Sequence, residues 1–246
     1  MGLCWTELLY DKSEVENPVP RPDLLSAQLA QALGRAIVAG DIAVGSSLPT
    51  EADLCRHHSA SRTAVREALK MLGGKGLVSA RPRLGASVRD KQHWSMLDAD
   101  VLRWMRDAPV DHALLLDLAQ LRLAIEPEAA SAAALRRDPQ ALGNIAAALE
   151  AMEGDPVEAL AADIAFHAEL LRASGNRFFA SQASMVENAL SMSIPVTNAA
   201  KQVAKADVEA HRIVYFAIRN GDAAAASLHA RAHILESVRL LQEGRE

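Results

Sequence analysis

Four residues in the C-terminal half of the chain carry side chains that divalent metals bind. Asp163 and His167 lie four residues apart, so a helix over this stretch would present both on one face. His211 and His233 belong to two later helical segments, and one carboxylate with three imidazoles converging in a bundle could bind a divalent metal. His229 lies four residues before His233, so spacing alone leaves these two histidines as alternatives. Any one histidine is more often a surface or core residue than a ligand.

Further polar side chains in the same half could contact a small ligand. Arg122 precedes Glu126 by one helical turn, and its guanidinium could hold an anionic effector through a two-point contact. An ion pair between Arg122 and Glu126 is the equal alternative. Asn188 is a candidate to contact hydroxyl groups of the same effector, with Ser191 and Thr197 as further candidates.

A second set of residues, nearer the N-terminus, is suited to contact DNA. Val65, Leu69 and Leu72 recur at helical spacing and form an apolar stripe, so the polar side chains between them point the other way. A serine precedes the stripe as a predicted N-cap and begins a recognition helix. The residues of this helix that would meet base edges and phosphates are Ser61, Arg62, Thr63, Arg66 and Lys70.

The elements around this helix complete a winged helix-turn-helix. Thr50 and Asp53 have the spacing of a capping box and open a short helix upstream. Downstream, glycines end the helical pattern and a short hairpin is predicted. The residues of this hairpin that would contact phosphates are Arg81, Arg83 and Gly85. The plainer alternative is an amphipathic helix whose arginines are merely solvated.

The charge distribution supports a local contact with DNA. Residues 24–91 contain ten Lys or Arg against five Asp or Glu, and this net charge of +5 leaves −10 for the rest of a chain whose total is −5. A basic first third on an acidic protein is the electrostatic footprint of nucleic-acid binding.

Beyond Asp90 the sequence has almost no strand signal, and helical stretches alternate with short breakers. We therefore predict a mainly α protein, with a winged helix-turn-helix followed by an all-α bundle of six or seven helices. The predicted parts are an extended arm over 1–23, the winged domain over 24–90, a linker with a short helix over 91–110 and the bundle over 111–242. One long helix from about Asp111 to Arg136 should bury a stripe of Leu114, Leu118, Leu121, Ile125 and Ala132.

The composition fits two ordinary domains in a reducing compartment. The chain has 246 residues, half of them hydrophobic, which is enough for two cores. Its two cysteines, Cys4 and Cys55, are too few for a disulfide framework. No uncharged apolar run approaches the length of a membrane span, so we expect a cytoplasmic protein without membrane contact.

Three runs of the N-terminal part, over 33–41, 45–51 and 61–69, resemble the DNA-binding domain of the GntR family of bacterial transcription regulators. The resemblance implies that the residues matching its operator contacts are Ser61, Arg62, Thr63 and Arg66, with the wing near Gly85. Many members carry an arginine where this chain has Ala52, so one family contact is absent here.

The C-terminal part, over about 110–242, resembles the FCD effector-binding domain of FadR-type members of that family. The matching residues are Arg122, Glu126, 163–167, 173–176, His211, 221–222 and His233. Similarity to the metal-containing branch implies that Asp163, His167, His211 and His233 bind the metal and that His229 faces outward. Zinc is the first choice of divalent metal, with nickel and manganese as alternatives. The junction over 94–104 is most similar to regulators of hexonate catabolism, such as galactonate.

The expected function is a homodimeric repressor that binds double-stranded operator DNA and is released by a small carboxylate, such as a sugar acid, bound near the metal. Regulators responding to lactate, glycolate or a dicarboxylate are the alternatives. A metal-dependent hydrolase is the competing class, but a His-Glu-x-x-His motif is missing and Glu169 points away from the His167 face. An interaction module without an effector is the third class. We therefore expect that the chain is not an enzyme.

Overall fold

The computed structural model describes residues 22–81, 85–203 and 207–243, which form eleven α-helices, two β-strands and one short 3-10 turn. The chain divides into two compact units, with the boundary between Pro109 and Val110. Within the described ranges, every helix is too short or too polar to span a lipid bilayer. The arm predicted over 1–23 lies outside the described residues up to position 21, and the first helix begins at Pro22.

The N-terminal unit contains four helices and a hairpin. Its helices are α1 (Pro22–Ala39), α2 (Glu51–His57), α3 (Arg62–Gly74) and α4 (Ala99–Asp107), and its strands are β1 (Val78–Arg81) and β2 (Gly85–Val88). Helix α3 packs against α1 and α2. Both predicted N-caps form, since Thr50 accepts a hydrogen bond from the Asp53 amide and Ser61 accepts one from the Ala64 amide.

The predicted hairpin is present as an antiparallel pair in which Val78 lies opposite Val88 and Arg81 opposite Gly85. The segment before α2 extends it, because the Leu48 amide donates to the Ala86 carbonyl at 2.8 Å. Arg83, at the predicted tip, lies outside the described residues. The order of helix, turn, helix and hairpin confirms the winged helix-turn-helix.

The short helix predicted between the domains is α4, and it packs against α1. Trp104 of α4 is buried, and its indole Nε1 donates to Oε1 of Gln31 at 2.7 Å. The ring lies directly over Gly34 of α1, where a Cβ atom would come within 2.5 Å of it. The Lys75 ammonium, just after α3, pairs with Asp98 at 2.8 Å and Asp100 at 2.7 Å. Helix α4 is thus joined to the winged core by packing and charge.

The C-terminal unit contains seven described helices, which confirms the predicted all-α bundle. They are α5 (His112–Arg136), α6 (Pro139–Ala151), α7 (Pro156–Ala173), α8 (Arg177–Ser181), α9 (Ala183–Lys201), α10 (Val208–Asn220) and α11 (Ala223–Glu243). The breakers identified in the sequence separate them: Asp138, Asp155 and Asn176 are N-caps, and Gly221 ends α10 at a positive φ of 78°.

Helix α5 runs as predicted, but the stripe predicted to be buried along it is wrong in part. Leu118 is buried, whereas Leu114, Leu121, Ile125 and Ala132 are only half-buried. The buried positions are instead Leu115, Leu116, Leu118, Ala119, Arg122, Glu126, Pro127, Ala129, Ala130, Ala133 and Ala134. Since α5 packs against α7, α9, α10 and α11, its buried face is broad and includes two charged residues that a hydrophobic pattern omits.

Candidate metal centre and DNA-reading surface

Three helices of the C-terminal unit bring the four predicted ligands together. Asp163 and His167 lie one turn apart on α7, His211 lies on α10 and His233 on α11. The ligand atoms of the three histidines all lie within 4.8 Å of one another. Oδ1 of Asp163 lies 3.1 Å from Nε2 of His211 and 3.4 Å from Nε2 of His167. The three histidines are close enough to share one ion, and Asp163 lies beside two of them. We call these four side chains the His–Asp cluster.

Two hydrogen bonds, each at an Nδ1 atom, orient the imidazoles of His167 and His211. Nδ1 of His167 donates to Oε2 of Glu126 at 2.6 Å, and Nδ1 of His211 donates to the Asp207 carbonyl at 2.7 Å. With Nδ1 protonated, a neutral imidazole carries its lone pair on Nε2. In that neutral form both Nε2 atoms would turn lone pairs toward the Asp163 carboxylate, so either a cation or a proton on Nε2 is needed between them.

The donor set fits a divalent metal. Nε2 of His167 and Nδ1 of His233 are buried ring nitrogens without a hydrogen-bond partner among the described residues. A buried, unpaired polar atom is costly, and metal coordination is one way to satisfy it. Metal-binding histidines usually donate their other nitrogen to a carboxylate or carbonyl, as His167 and His211 do here. Neutral imidazole and ionised carboxylate are the ligand forms required.

The electrostatics of the cluster favour positive charge at its centre. Burial would raise the pKa of Asp163, but hydrogen bonds with His167 and His211 outweigh burial and hold it far below its usual range. Burial, together with the neighbouring His211 and His167, lowers the pKa of His233 well below its ordinary value, so this ring is neutral near pH 7. Burial would lower the pKa of His167, yet Glu126 and Asp163 raise it. The carboxylates thus attract a cation or a proton here.

Ring packing holds the imidazoles in place. The rings of His167 and His233 stack with centroids 5.5 Å apart, and the His211 ring meets His233 edge-on at 4.3 Å. Phe166, which is buried, contacts the edges of both His167 and His211. His229, the alternative that spacing left open, is half-buried and is not part of the group of three histidines.

A buried chain of charges supports the cluster from α5. Nε of Arg122 donates to Oε1 of Glu126 at 2.6 Å, and both side chains are almost fully buried. Burial would raise the pKa of Glu126, but the charges of Arg122 and His167 lower it to about 2. The ion pair between Arg122 and Glu126, one of the two alternatives for Arg122, is therefore formed.

A cavity of about 500 Å³ opens over the cluster. Arg122, Asp163, His167 and His233 line it, so Arg122 faces the cavity while it pairs with Glu126. The remaining lining residues are Leu190, Ile194, Thr197, Asn198, Lys201, Val203, Asp207, Glu236 and Ser237. Asn188 is not among them, and its Nδ2 donates to the Ser184 carbonyl at 2.8 Å.

The predicted recognition helix α3 presents its polar face outward. Ser61, Arg62, Thr63, Arg66 and Lys70 are all exposed, whereas Val65 and Leu72 are buried. The Nε atom of Arg66 lies 3.0 Å from Oε2 of Glu51, which joins α3 to α2 on this face. Lys70 pairs with Glu67 at 2.8 Å, one turn earlier on α3. Arg81 and Gly85 are paired residues at the described ends of the two wing strands.

Sequence reasoning missed several contacts around the cluster. The sequence identifies Glu126 as a partner for Arg122 and as part of the FCD resemblance, but its bond to His167 spans 41 residues and carries no spacing signal. His211 is oriented by the backbone carbonyl of Asp207, and a backbone contact of this kind cannot be predicted from residue type. The ion pair between Lys201 and Glu236, at 2.8 Å on the cavity wall, joins α9 to α11 and carries no spacing signal.

A winged helix-turn-helix followed by a helical ligand domain defines a class of DNA-binding transcription regulators. Residues 25–88 match the model of the bacterial regulatory proteins of the gntR family, and residues 117–236 match that of the FCD domain. The chain belongs to the GntR family of transcription regulators, in the group that carries an FCD domain. These matches identify a DNA-binding transcription regulator and not an enzyme.

Relatives agree with this assignment, and a solved structure shares the fold. The galactonate operon transcriptional repressor of Escherichia coli (strain K12) is 32% identical over 216 residues, which cover 86% of this chain and 94% of the relative. A second protein of that strain, named for regulation of the L-lactate dehydrogenase operon, is 28% identical over 87% of this chain and 84% of its own length. The structure of Lar from Listeria monocytogenes, 17% identical, matches 92% of this chain and 99% of its own with a TM-score of 0.59, which shows the shared fold alone.

Proposed function

We propose that the protein represses a carbohydrate-acid catabolic operon and leaves its operator when a small carboxylate binds beside a divalent metal in the C-terminal unit. The observation that carries this proposal is the cavity, since it opens on the His–Asp cluster and includes the Arg122 guanidinium. A divalent metal bound in the cluster would add positive charge beside the Arg122 guanidinium, and positive charge in a polar cavity selects an anion. Similarity to a galactonate operon repressor supports a sugar acid as that anion.

The metal belongs in the His–Asp cluster, with Asp163, His167, His211 and His233 as its ligands. A bound divalent cation would supply positive charge for the carboxylate of the effector. Zinc suits three imidazoles and a carboxylate, and nickel and manganese are the alternatives. Glu126 and the Asp207 carbonyl keep the Nε2 atoms of His167 and His211 directed at this site.

DNA binding belongs to the exposed face of α3 and to the wing. In a homodimer with two-fold symmetry, each subunit would read one half-site of double-stranded operator DNA in the cytoplasm. The residues that would contact DNA are Ser61, Arg62, Thr63, Arg66, Lys70, Arg81, Arg83 and Gly85. The exposed positions of the α3 residues support this role.

Effector binding and operator binding are coupled, because the effector binds two arrangements of the dimer with different affinity. An effector that prefers the arrangement in which the two winged domains no longer match the half-sites lowers operator affinity by about 1–3 kcal/mol, roughly 5- to 150-fold. A regulator that responds to lactate, glycolate or a dicarboxylate is the second candidate, and similarity to the protein named for the L-lactate dehydrogenase operon favours it.

Thermal unfolding with metals and acids tests the proposal. The metal-stripped protein should gain stability on addition of zinc, nickel or manganese and gain more with a sugar acid, because ligands that bind only the folded state stabilise it. The double variant His211→Ala, His233→Ala should lose both responses. His229→Ala is the matched control on α11 and should keep them. Equal responses from the double variant and the control would refute the assigned ligands.

A further inference from the structure

We propose that Lys201 and Glu236 bind the hydroxylated far end of the effector, so that the cavity selects polyhydroxylated monocarboxylates of about five or six carbons. This inference rests on the proposed function, in which the carboxylate of the effector binds beside the His–Asp cluster. It assigns a second contact region, distinct from the cluster, to the same cavity.

Lys201 and Glu236 form an ion pair across one wall of the cavity. Nζ of Lys201, the last residue of α9, lies 2.8 Å from Oε1 of Glu236 on α11. Their side chains are 28% and 40% exposed, so both keep polar atoms available to a ligand. Both residues line the cavity whose floor carries Asp163, His167 and His233.

The spacing along α11 sets the length of the ligand. Glu236 follows His233 by three residues, which places it about 4.5 Å further along the helix axis at the rise of an α-helix. An extended carbon chain with bonds of about 1.5 Å advances roughly 1.3 Å per bond, so at least about four bonds, and therefore about five carbons, are needed to cover this span. A monocarboxylate of five or six carbons, held by its carboxylate at the cluster, reaches the ion pair. Lactate and glycolate end short of it.

The volume of the cavity agrees with a longer ligand. A cavity of about 500 Å³ is of the size that ordinary small-molecule sites have. Lactate has six non-hydrogen atoms, which at the volume of about 30 Å³ that a water molecule occupies would fill roughly a third of it. The wall of Leu190, Ile194 and Val203 can cover the C–H groups of a longer chain.

The chemistry of the ion pair selects hydroxyl groups. Lys201 only donates hydrogen bonds and Glu236 only accepts them, whereas a hydroxyl group does both and can bond to either partner without disturbing its charge. A second carboxylate would have to compete with Glu236 for Lys201 and would be repelled by Glu236, and an alkyl end would desolvate the charges without replacing their hydrogen bonds. Asn198 and Ser237 add further polar groups to the lining of the cavity.

Titration calorimetry of the metal-loaded protein with four acids tests the inference. The acids are galactonate, lactate, the six-carbon dicarboxylate galactarate and the unhydroxylated hexanoate. The wild-type protein should bind galactonate at least tenfold more tightly than each of the others. Lys201→Met should weaken the binding of galactonate at least tenfold, while the affinity for lactate changes less than threefold. Glu236→Gln should raise the affinity for galactarate relative to that for galactonate.

Arg239→Met is the matched control, since Arg239 pairs with Glu243 on the same helix and does not line the cavity. It should leave all four affinities unchanged, and metal content and melting temperature report folding of each variant. Two outcomes would overturn the inference while the proposed function stands. In the first, the acids bind but Lys201→Met weakens the binding of galactonate and of lactate equally. In the second, galactarate is the acid that the wild-type protein binds most tightly. If no acid binds the metal-loaded wild-type protein, the proposed function fails and takes the inference with it.

Discussion

Nδ1 of His167 donates a hydrogen bond of 2.6 Å to Oε2 of Glu126, and the other carboxylate oxygen of Glu126 accepts one of 2.6 Å from Arg122. All three side chains are buried. One carboxylate thus neutralises a buried guanidinium and turns the Nε2 lone pair of a candidate ligand toward the cluster. Helix α5 contributes none of the four candidate ligands, yet it contributes the residue that orients one of them.

Replacing Glu126 tests this orientation. Glu126→Gln should weaken metal binding by about 10- to 100-fold, the usual effect of losing a group that orients a metal ligand. It should also destabilise the fold by about 3–5 kcal/mol, because Arg122 is left as an uncompensated buried charge. A competitive chelator titration measures the first effect and denaturant unfolding the second. Glu128→Gln is the control, since Glu128 is exposed on the same helix. Metal affinity within twofold of wild type in Glu126→Gln would contradict the orienting role.

Substitutions on α3 should weaken DNA binding without changing effector binding. Arg62→Ala and Arg66→Ala should each cost about 1–3 kcal/mol of operator binding if they contact base edges. Effector binding, measured by calorimetry, should stay unchanged, since both residues lie in the N-terminal unit. Fluorescence anisotropy measures operator affinity. If this affinity is unchanged in both variants, α3 is not the helix that contacts the operator.

The ion pair between Glu51 and Arg66 predicts a change in selectivity. Glu51→Gln removes a negative charge beside the proposed DNA contacts of α3 and releases the Arg66 side chain. Affinity for random duplex DNA should rise because electrostatic repulsion falls, and the ratio of operator to random affinity should fall because Arg66 is less well positioned. Glu67→Gln is the control, since it removes the same charge from the ion pair with Lys70. It should raise the affinity for random duplex DNA and leave the ratio of operator to random affinity unchanged. An unchanged ratio in Glu51→Gln would argue against positioning.

Two glycines in helices should respond oppositely to alanine. A Cβ atom at Gly34 would lie 2.5 Å from the Trp104 ring, whereas at Gly143 on α6 it would have no described neighbour within 4 Å. Gly34→Ala should therefore destabilise the protein by about 1–3 kcal/mol through overpacking. Gly143→Ala should stabilise it by up to about 1 kcal/mol, because glycine is a poor helix former. Thermal unfolding measures both, and a stabilising Gly34→Ala would show that Trp104 does not pack there.

The Lys75 pairs predict a dependence of stability on pH. The hydrogen bond from Lys75 lowers the pKa of Asp100, so this carboxylate contributes stability above its unfolded pKa of about 4 and loses it as pH falls through the folded value. The side chain is partly exposed, so the contribution is about 1 kcal/mol or less. The difference in unfolding free energy between wild type and Asp100→Asn should shrink from pH 6 to pH 3. A constant difference would contradict the linkage.

Local chemistry made parts of the fold and site predictable. The caps at Thr50 and Ser61 follow from residue type and spacing, and the facing of Asp163 and His167 follows from the helical repeat. The choice of His233 over His229 depends on which face of α11 packs inward, which spacing cannot supply. The buried face of α5 is broader than the predicted stripe because four helices pack against it, and a hydrophobic pattern omits the buried pair of Arg122 and Glu126.

Operator binding in the presence of effector is the most direct test of the metabolite switch. Fluorescence anisotropy would follow a duplex selected for binding by this protein, with metal-loaded wild type, the double variant His211→Ala, His233→Ala and the control His229→Ala. We predict that galactonate lowers operator affinity roughly 5- to 150-fold for wild type and control and less than twofold for the double variant. An equal response in the double variant, or no response of the wild type to galactonate, lactate, glycolate or galactarate, would contradict a switch centred on the His–Asp cluster.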